Sequence, residues 1–194
     1  MTKLMMIAGP NGAGKTTTTE AIFYKQDDIY DEFINADHIA RGLSPLHPES
    51  VNVQAGRLMI QRFHECLSGN KSFVFETTAS GLSYVTHLKK AKTMGYTINL
   101  IYLWLSSPEL AVKRVARRVQ QGGHNIPEAD IRRRYFRGLK NLINLYLPIA
   151  DTALILDNSA EREVVARKEL SSQLEIENIE MWEKLQEIVY GYVH

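Results

Sequence analysis

A chain of 194 residues is long enough for one well-cored domain and short for two. Its 44% hydrophobic and 23% charged residues are ordinary for a globular protein and exclude a largely disordered chain. A formal charge of +1 excludes a global pull toward nucleic acid or anionic lipid, and the single cysteine, Cys66, excludes an internal disulfide.

Leu4 to Ala8 is a short apolar run that stops at Gly9, as a buried parallel strand does. It is too short for a secretory core, and no later stretch approaches about 20 apolar residues, so a cytoplasmic protein without a membrane partner is expected. From Lys15 a helix is predicted to about Phe23, weakened by the threonines at 16–19. Phe33-Ile34-Asn35 reads as a brief strand. A helix follows from about Pro48, a first-turn proline, to Leu67, with Gly69-Asn70 closing it and Cys66 buried inside it. Ser72 to Glu76 is a strand and Leu82 to Met94 a helix stopped by Gly95. Thr97 to Leu105 is the longest apolar strand. Ser107 as N-cap and Pro108 at the first helical position open a helix that ends at Gly122-Gly123. Pro127 opens another, to about Leu147. Thr152 to Leu156 is the last predicted strand, and helices from Ala160 and from Ile176 fill the remainder.

Strands alternating with helices imply βαβ units. The expectation is a three-layer α/β fold with a five-stranded parallel sheet and helices on both faces, formed by residues 1–158. Residues 159–194 are expected to be a helical appendage of the same domain.

Residues Gly9-Pro10-Asn11-Gly12-Ala13-Gly14-Lys15-Thr16 match G-x-x-x-x-G-K-[ST] without exception. Glycines let successive N–H groups turn inward to make an anion nest, and the helix opening at Lys15 points its positive end at the same place. Lys15 is suited to the β- and γ-phosphates, and the Thr16 hydroxyl to Mg²⁺. The turn, with Thr17, therefore predicts binding of ATP or GTP with Mg²⁺. Such a loop serves many reactions and names none of them.

In doubly wound sheets ligands bind beyond the carboxyl ends of the strands. Asp37 follows the second strand and Glu76-Thr77 ends the third. Transfer to a hydroxyl needs a carboxylate at the acceptor, which makes Asp37 the candidate base and Glu76 the candidate acceptor anchor or metal-water ligand. The alternative for Asp37 is a helix N-cap. Thr77 and Arg41 are further candidate substrate contacts. Cations come from residues 113–140, which hold nine Lys or Arg against two acids. Arg114 and Arg118 share a helix face, and Arg132, Arg133 and Arg134 follow the loop Gly122 to Pro127, in which His124 is another candidate contact. Two arginine-bearing helices joined by a glycine loop look like a lid over a triphosphate. Consecutive arginines diverge by about 100°, so not all three face the ligand.

These motifs, in this order and spacing, resemble the zeta toxin family of P-loop kinases. The segments Phe33-Ile34-Asn35-Ala36-Asp37, Phe75-Glu76-Thr77-Thr78 and Gly122 to Pro127 with Ile131 to Tyr135 resemble its short bacterial branch, often labelled predicted ABC-type ATPase. The resemblance implies an ATP- or GTP-dependent kinase acting on the 3′-hydroxyl of UDP-N-acetylglucosamine or a related nucleotide sugar, restrained by a small helical antitoxin. It implies that Asp37 is the general base, that Glu76 holds the acceptor, and that Arg118 with Arg133 or Arg134 clamps the γ-phosphate. The ABC label fails on the residues themselves. Leu67-Ser68-Gly69-Asn70-Lys71 falls at a predicted helix end, where no positive dipole end is available. The competing reading is a nucleotide-binding interaction module, with Ile176 to Tyr190 as a docking helix.

Overall fold

The computed structural model describes residues 2–25, 29–123 and 125–191. Chain order begins β1 (Lys3–Ala8), α1 (Lys15–Lys25), β2 (Glu32–Ile34), α2 (Ala36–Leu43), α3 (Asn52–Ser68), β3 (Phe73–Thr77), α4 (Ser83–Thr93) and β4 (Thr97–Trp104). It continues through α5 (Pro108–Gln120), α6 (Glu128–Asn141), a π-helical stretch Leu142–Tyr146, α7 (Leu147–Ile149), β5 (Thr152–Asp157), β6 (Glu163–Lys168), β7 (Leu174–Ile176) and α8 (Ile179–Tyr190). Pro48–Val51 forms a single 3₁₀ turn leading into α3.

One sheet runs β2-β3-β1-β4-β5-β6-β7. Its first five strands are parallel, as expected, and β1 lies between β3 and β4. Phe73 to Glu76 are buried without alternation, which requires cover on both faces of the sheet. Phe63 of α3 fills one side, meeting Phe73 and Phe75 edge to face at 4.9 and 5.2 Å. Cys66 is buried in the same layer, as its sequence context predicts.

The expected five strands are seven. Residues 163–168 form a strand rather than a helix from Ala160, and β6 and β7 extend the sheet antiparallel. The reason is local. Val164-Val165 is β-branched, and the exposed edge of β5 offers the backbone partners that an unpaired strand needs. Only the last predicted helix survives, as α8, capped by Asn178. It packs on α6 and β6 with Leu185 fully buried, and Tyr190 donates to Asn144 Oδ1 at 3.1 Å. The Ile176–Tyr190 segment is therefore largely taken up by its own domain.

α6 is fastened to the body along its length. Tyr135 Oη donates to the Leu105 carbonyl at 2.6 Å and accepts from Trp104 Nε1 at 3.1 Å, both buried. Three residues on, Gly138 lies so near the β3–α4 loop that a Cβ would sit 2.6 Å from the Thr78 carbonyl oxygen. Asn141 Nδ2 donates to the Ala79 carbonyl at 2.8 Å, and Tyr146 Oη to that of Gly81 at 2.7 Å. Gly138→Ala is expected to lower stability by about 1–3 kcal/mol, because backbone cannot give way there. Gly56 of α3 has open space around its Cβ position, and Gly56→Ala is expected to raise stability by up to about 1 kcal/mol. Urea denaturation of the pair checks this. Equal effects would sink the contact argument.

Candidate active site

The phosphate-binding turn forms between β1 and α1, as its sequence predicts. Gly9 adopts φ +145°, and a Cβ there would stand 2.2 Å from the Leu103 carbonyl oxygen. No other residue fits a turn seated this tightly on β4. The turn is braced from the far side. Asn158 Nδ2, just beyond β5, donates to the Ala13 carbonyl at 2.8 Å. Arg114 of α5 donates to the Ser159 carbonyl at 2.8 Å and approaches that of Gly12 at 3.5 Å. Arg162 donates to Thr18 Oγ1 at 3.0 Å.

Lys15 folds back over its own loop, donating to the Gly9 and Pro10 carbonyls at 2.9 Å each. The residue is half-buried, with its ammonium turned onto these two carbonyls. Lost hydration pulls its pKa down to about 8; Glu76 and Asp37 oppose the fall, while Arg118 and Arg134 add to it. An ammonium has three donors, so one remains beyond the two loop carbonyls. Asn11 Oδ1, also in the turn, is buried with no hydrogen-bond partner among the described residues.

Glu76, at the end of β3, is buried and serves as a hub. It accepts from Thr16 Oγ1 at 3.0 Å, Thr19 Oγ1 at 2.6 Å and Asn35 Nδ2 at 2.7 Å. Burial raises its pKa, against the pull of Thr19, Lys15, Thr16 and His38. The threonine run that weakens helix propensity thus has a second use. Thr19 spends its hydroxyl on Glu76 and on the Lys15 carbonyl, and Thr18 bonds back to that of Gly14 at 3.0 Å. Thr17 is exposed on the same turn.

Asn35 joins this hub to α2. Its Oδ1 accepts from the backbone N–H of Asp37 at 2.7 Å and of His38 at 3.3 Å, capping the helix. Asp37 is therefore not the N-cap. Its exposed carboxylate is left to face a cleft of ≈540 Å³.

That cleft opens beyond the strand ends. Asn11, Lys15, Asp37 and Glu76 line its floor, and Thr77 and Thr78 follow along the β3–α4 loop. Asn125 to Pro127, Asp130 and Arg134 close it from the α5–α6 side, and Glu49, Asn52, Met59 and Tyr84 from the other. The structure separates the arginines that sequence left undecided. Arg134 lines the cleft, and Arg118 lies close enough for its charge to act on Lys15. Arg133 does not line it and pairs with Asp130 at 2.5 Å. Arg132 pairs with Glu109 of α5 and with Glu128. Arg41 borders a shallow depression shared with Asp37, Pro48 and Asn52, outside the main cleft. His124 lies outside the described residues.

Sequence reasoning missed Asn35 as a linking group, although an asparagine before Ala36-Asp37-His38 is a cap signal. It also missed Thr19, Asn158 and Arg162. Their partners lie 57, 145 and 144 residues away, so no local pattern marks them. Leu67 to Lys71 closes α3 as predicted, with Gly69 as C-cap.

A five-strand parallel core, a phosphate-binding turn and a cleft beyond the strand ends define a P-loop protein of the kinase-like α/β class. The chain belongs to the zeta toxin family, whose model matches residues 2–169. An uncharacterized protein of Haemophilus influenzae is 34% identical over 133 residues, covering 69% of this chain and 92% of that one. Among solved structures, the chain resembles AvrRxo1-ORF1:AvrRxo1-ORF2 with ATP, with a TM-score of 0.74 and 17% identity over 95% of this chain. It spans 63% of that chain's length. It also resembles the PezAT chromosomal toxin-antitoxin system of Streptococcus pneumoniae, with a TM-score of 0.66 and 18% identity, covering all of this chain and 80% of that one. At these identities the structures speak for the fold alone. Among the described residues, no helix is long and apolar enough to cross a membrane.

Proposed function

We propose that this protein is a kinase that transfers the γ-phosphoryl group of ATP or GTP to a hydroxyl of a small molecule. One observation carries the reading. A phosphate turn, a carboxylate free of capping duty at Asp37 and Arg134 share a single cleft, and Arg118 acts on Lys15 at its edge.

The turn fits a polyphosphate. Its glycine cannot be replaced, and Lys15 keeps a donor in hand. The residues also fit Mg²⁺, a hard ion that takes oxygen ligands and leans on substrate phosphates rather than on an all-protein cage. Thr16 and Glu76 supply such oxygens, and among the described residues no cluster of three or more metal-binding side chains competes. When bound, Mg²⁺ neutralises charge on the transferring phosphates.

In the proposed reaction the acceptor oxygen attacks the γ-phosphorus. The bond from that phosphorus to the β–γ bridging oxygen breaks, and the diphosphate leaves. Asp37 orients the hydroxyl and takes its proton. Lys15, Arg118 and Arg134 offset the charge on the phosphoryl oxygens. Glu76 holds Thr16 and, through Asn35, the helix that presents Asp37. Its three internal donors favour the metal-water role over the acceptor-anchor role.

A small helical antitoxin covering the nucleotide site is the partner that the family implies. The interaction-module reading loses its docking helix to the packing of α8. Incubating the protein with γ-labelled ATP, Mg²⁺ and a metabolite extract is expected to yield a labelled small molecule. Tight ATP binding with no labelled product would overturn the kinase reading.

A further inference from the structure

Residues 158–162 join β5 to β6, and Asp157 pairs with Glu163 across the base of that loop. The loop is fastened to its surroundings. Asn158 N–H donates to the Trp104 carbonyl at 3.0 Å, Ser159 N–H to Asp157 Oδ1 at 2.8 Å, and Ser106 N–H to Ser159 Oγ at 2.8 Å. The Ser159 carbonyl accepts from Arg114 of α5 at 2.8 Å. From this fixed backbone a half-buried asparagine side chain crosses 145 residues of sequence to reach the Ala13 carbonyl.

Resting on the reading of the turn at 9–16 as a polyphosphate site, and not on the transfer step, we infer that Asn158 is a positioning residue. It holds the Ala13 carbonyl and thereby turns the Gly14 N–H toward the phosphates. Gly12 and Gly14 flank Ala13 at φ +78° and +83°, and glycine visits both signs of φ with similar ease. The peptide between Ala13 and Gly14 is therefore free to flip unless its carbonyl is held. A trans peptide is planar, so its C=O and N–H point in opposite directions. With the Ala13 carbonyl held by Asn158 Nδ2 at 2.8 Å, the Gly14 N–H faces away from the β5–β6 loop.

The next peptide is set in the same way. The Gly14 carbonyl accepts from the N–H and the hydroxyl of Thr18 at 3.1 and 3.0 Å, which leaves the Lys15 N–H pointing out of the start of α1. Arg162 donates to that hydroxyl at 3.0 Å, so the Thr18 proton goes to Gly14. The Arg162 Nε also approaches Asn158 Oδ1 at 3.4 Å. One arginine at the end of the loop thus touches both side chains that orient the turn. The N–H groups of Gly14 and Lys15 are among those that such a turn offers to phosphate. A Cβ on Gly14 would stand 3.0 Å from Asn158 Nδ2, so the amide also needs glycine at this position.

The test compares two ligands by calorimetry, ATP with Mg²⁺ and tripolyphosphate with Mg²⁺, the second having neither base nor ribose. Asn158→Ala is expected to weaken both by the same factor, about tenfold, the worth of one hydrogen bond that keeps the turn in place. Asn158→Asp keeps the volume and the backbone bonds but turns a donor into an acceptor facing a carbonyl. It is expected to bind both ligands at least as weakly, and it decides the matter should the alanine variant not fold. Both variants are measured well below their unfolding midpoints, where a merely structural role leaves affinity unchanged. A loss for ATP with none for tripolyphosphate would mean that Asn158 meets the base or ribose, and would overturn the inference. Native affinity in both variants would overturn it as well. A native chain that binds neither ligand would instead overturn the polyphosphate reading itself.

Discussion

Asp37→Asn is expected to bind ATP within about twofold of the native chain while transferring phosphate about 10²- to 10⁴-fold more slowly. The expectation depends on a division of labour in α2. Asn35 caps the helix, accepting from the backbone N–H groups of residues 37 and 38, so the Asp37 carboxylate has no structural duty to abandon. Asparagine keeps its size and its place in the first turn, and loses only the ability to take a proton. Asn35→Ala should behave differently. It removes the cap, worth about 1 kcal/mol, and the donor to Glu76, so stability and transfer fall together. Single-turnover transfer and thermal unfolding, measured on both variants, separate the two roles. If Asp37→Asn kept more than about a third of the native rate, the base assignment would be wrong.

Lys15→Met is expected to abolish measurable transfer and weaken ATP binding by about 10- to 100-fold, the worth of a charge-assisted hydrogen bond to phosphate. The same change is expected to make the ligand-free protein more stable near pH 7. Lys15 has its pKa lowered to about 8 in the fold, against an ordinary lysine value of 10.5. Between those values the unfolded chain binds more protons than the folded one, so native stability rises with pH across the window and is lowest below it. Methionine removes both the cost and the slope. Urea midpoints from pH 7 to 10 should climb for the native chain relative to Lys15→Met. A phosphate ligand reverses the depression, so ATP binding near pH 9 should take up protons, readable by calorimetry in two buffers. Parallel pH profiles for the two chains would refute this account of Lys15.

Much of this was legible in the sequence because the signals are local. The turn at Gly9 to Thr16 specifies its own backbone, and the five parallel strands announce themselves as apolar runs closed by glycine or polar residues. Ser107-Pro108 fixes the start of α5 through a hydroxyl that accepts from Leu110 N–H at 3.2 Å. What stayed hidden depended on distant partners. β6 becomes a strand because its β-branched Val164-Val165 meets a free edge of β5, and that edge is a fact of topology. Glu76 reads as an acceptor contact from its place at a strand end, yet two threonines of α1 and Asn35 surround it. The choice between Arg133 and Arg134 turns on helix phase. It becomes visible only in the fold, where Arg134 lines the cleft and Arg133 pairs with Asp130.

The grip of α6 on the β3–α4 loop has a mechanical corollary. Arg134 and Gly138 are one turn apart on the same helix, the first reaching the cleft and the second pressed on the Thr78 carbonyl. Asn141 and Tyr146 pin the same loop further along. The helix is thus a lever whose fulcrum is the platform carrying Thr77 and Thr78. Any shift of α6 that brings Arg134 toward phosphate must bear on that platform. Seating a substrate against the loop and delivering the arginine are then two ends of one rigid rod.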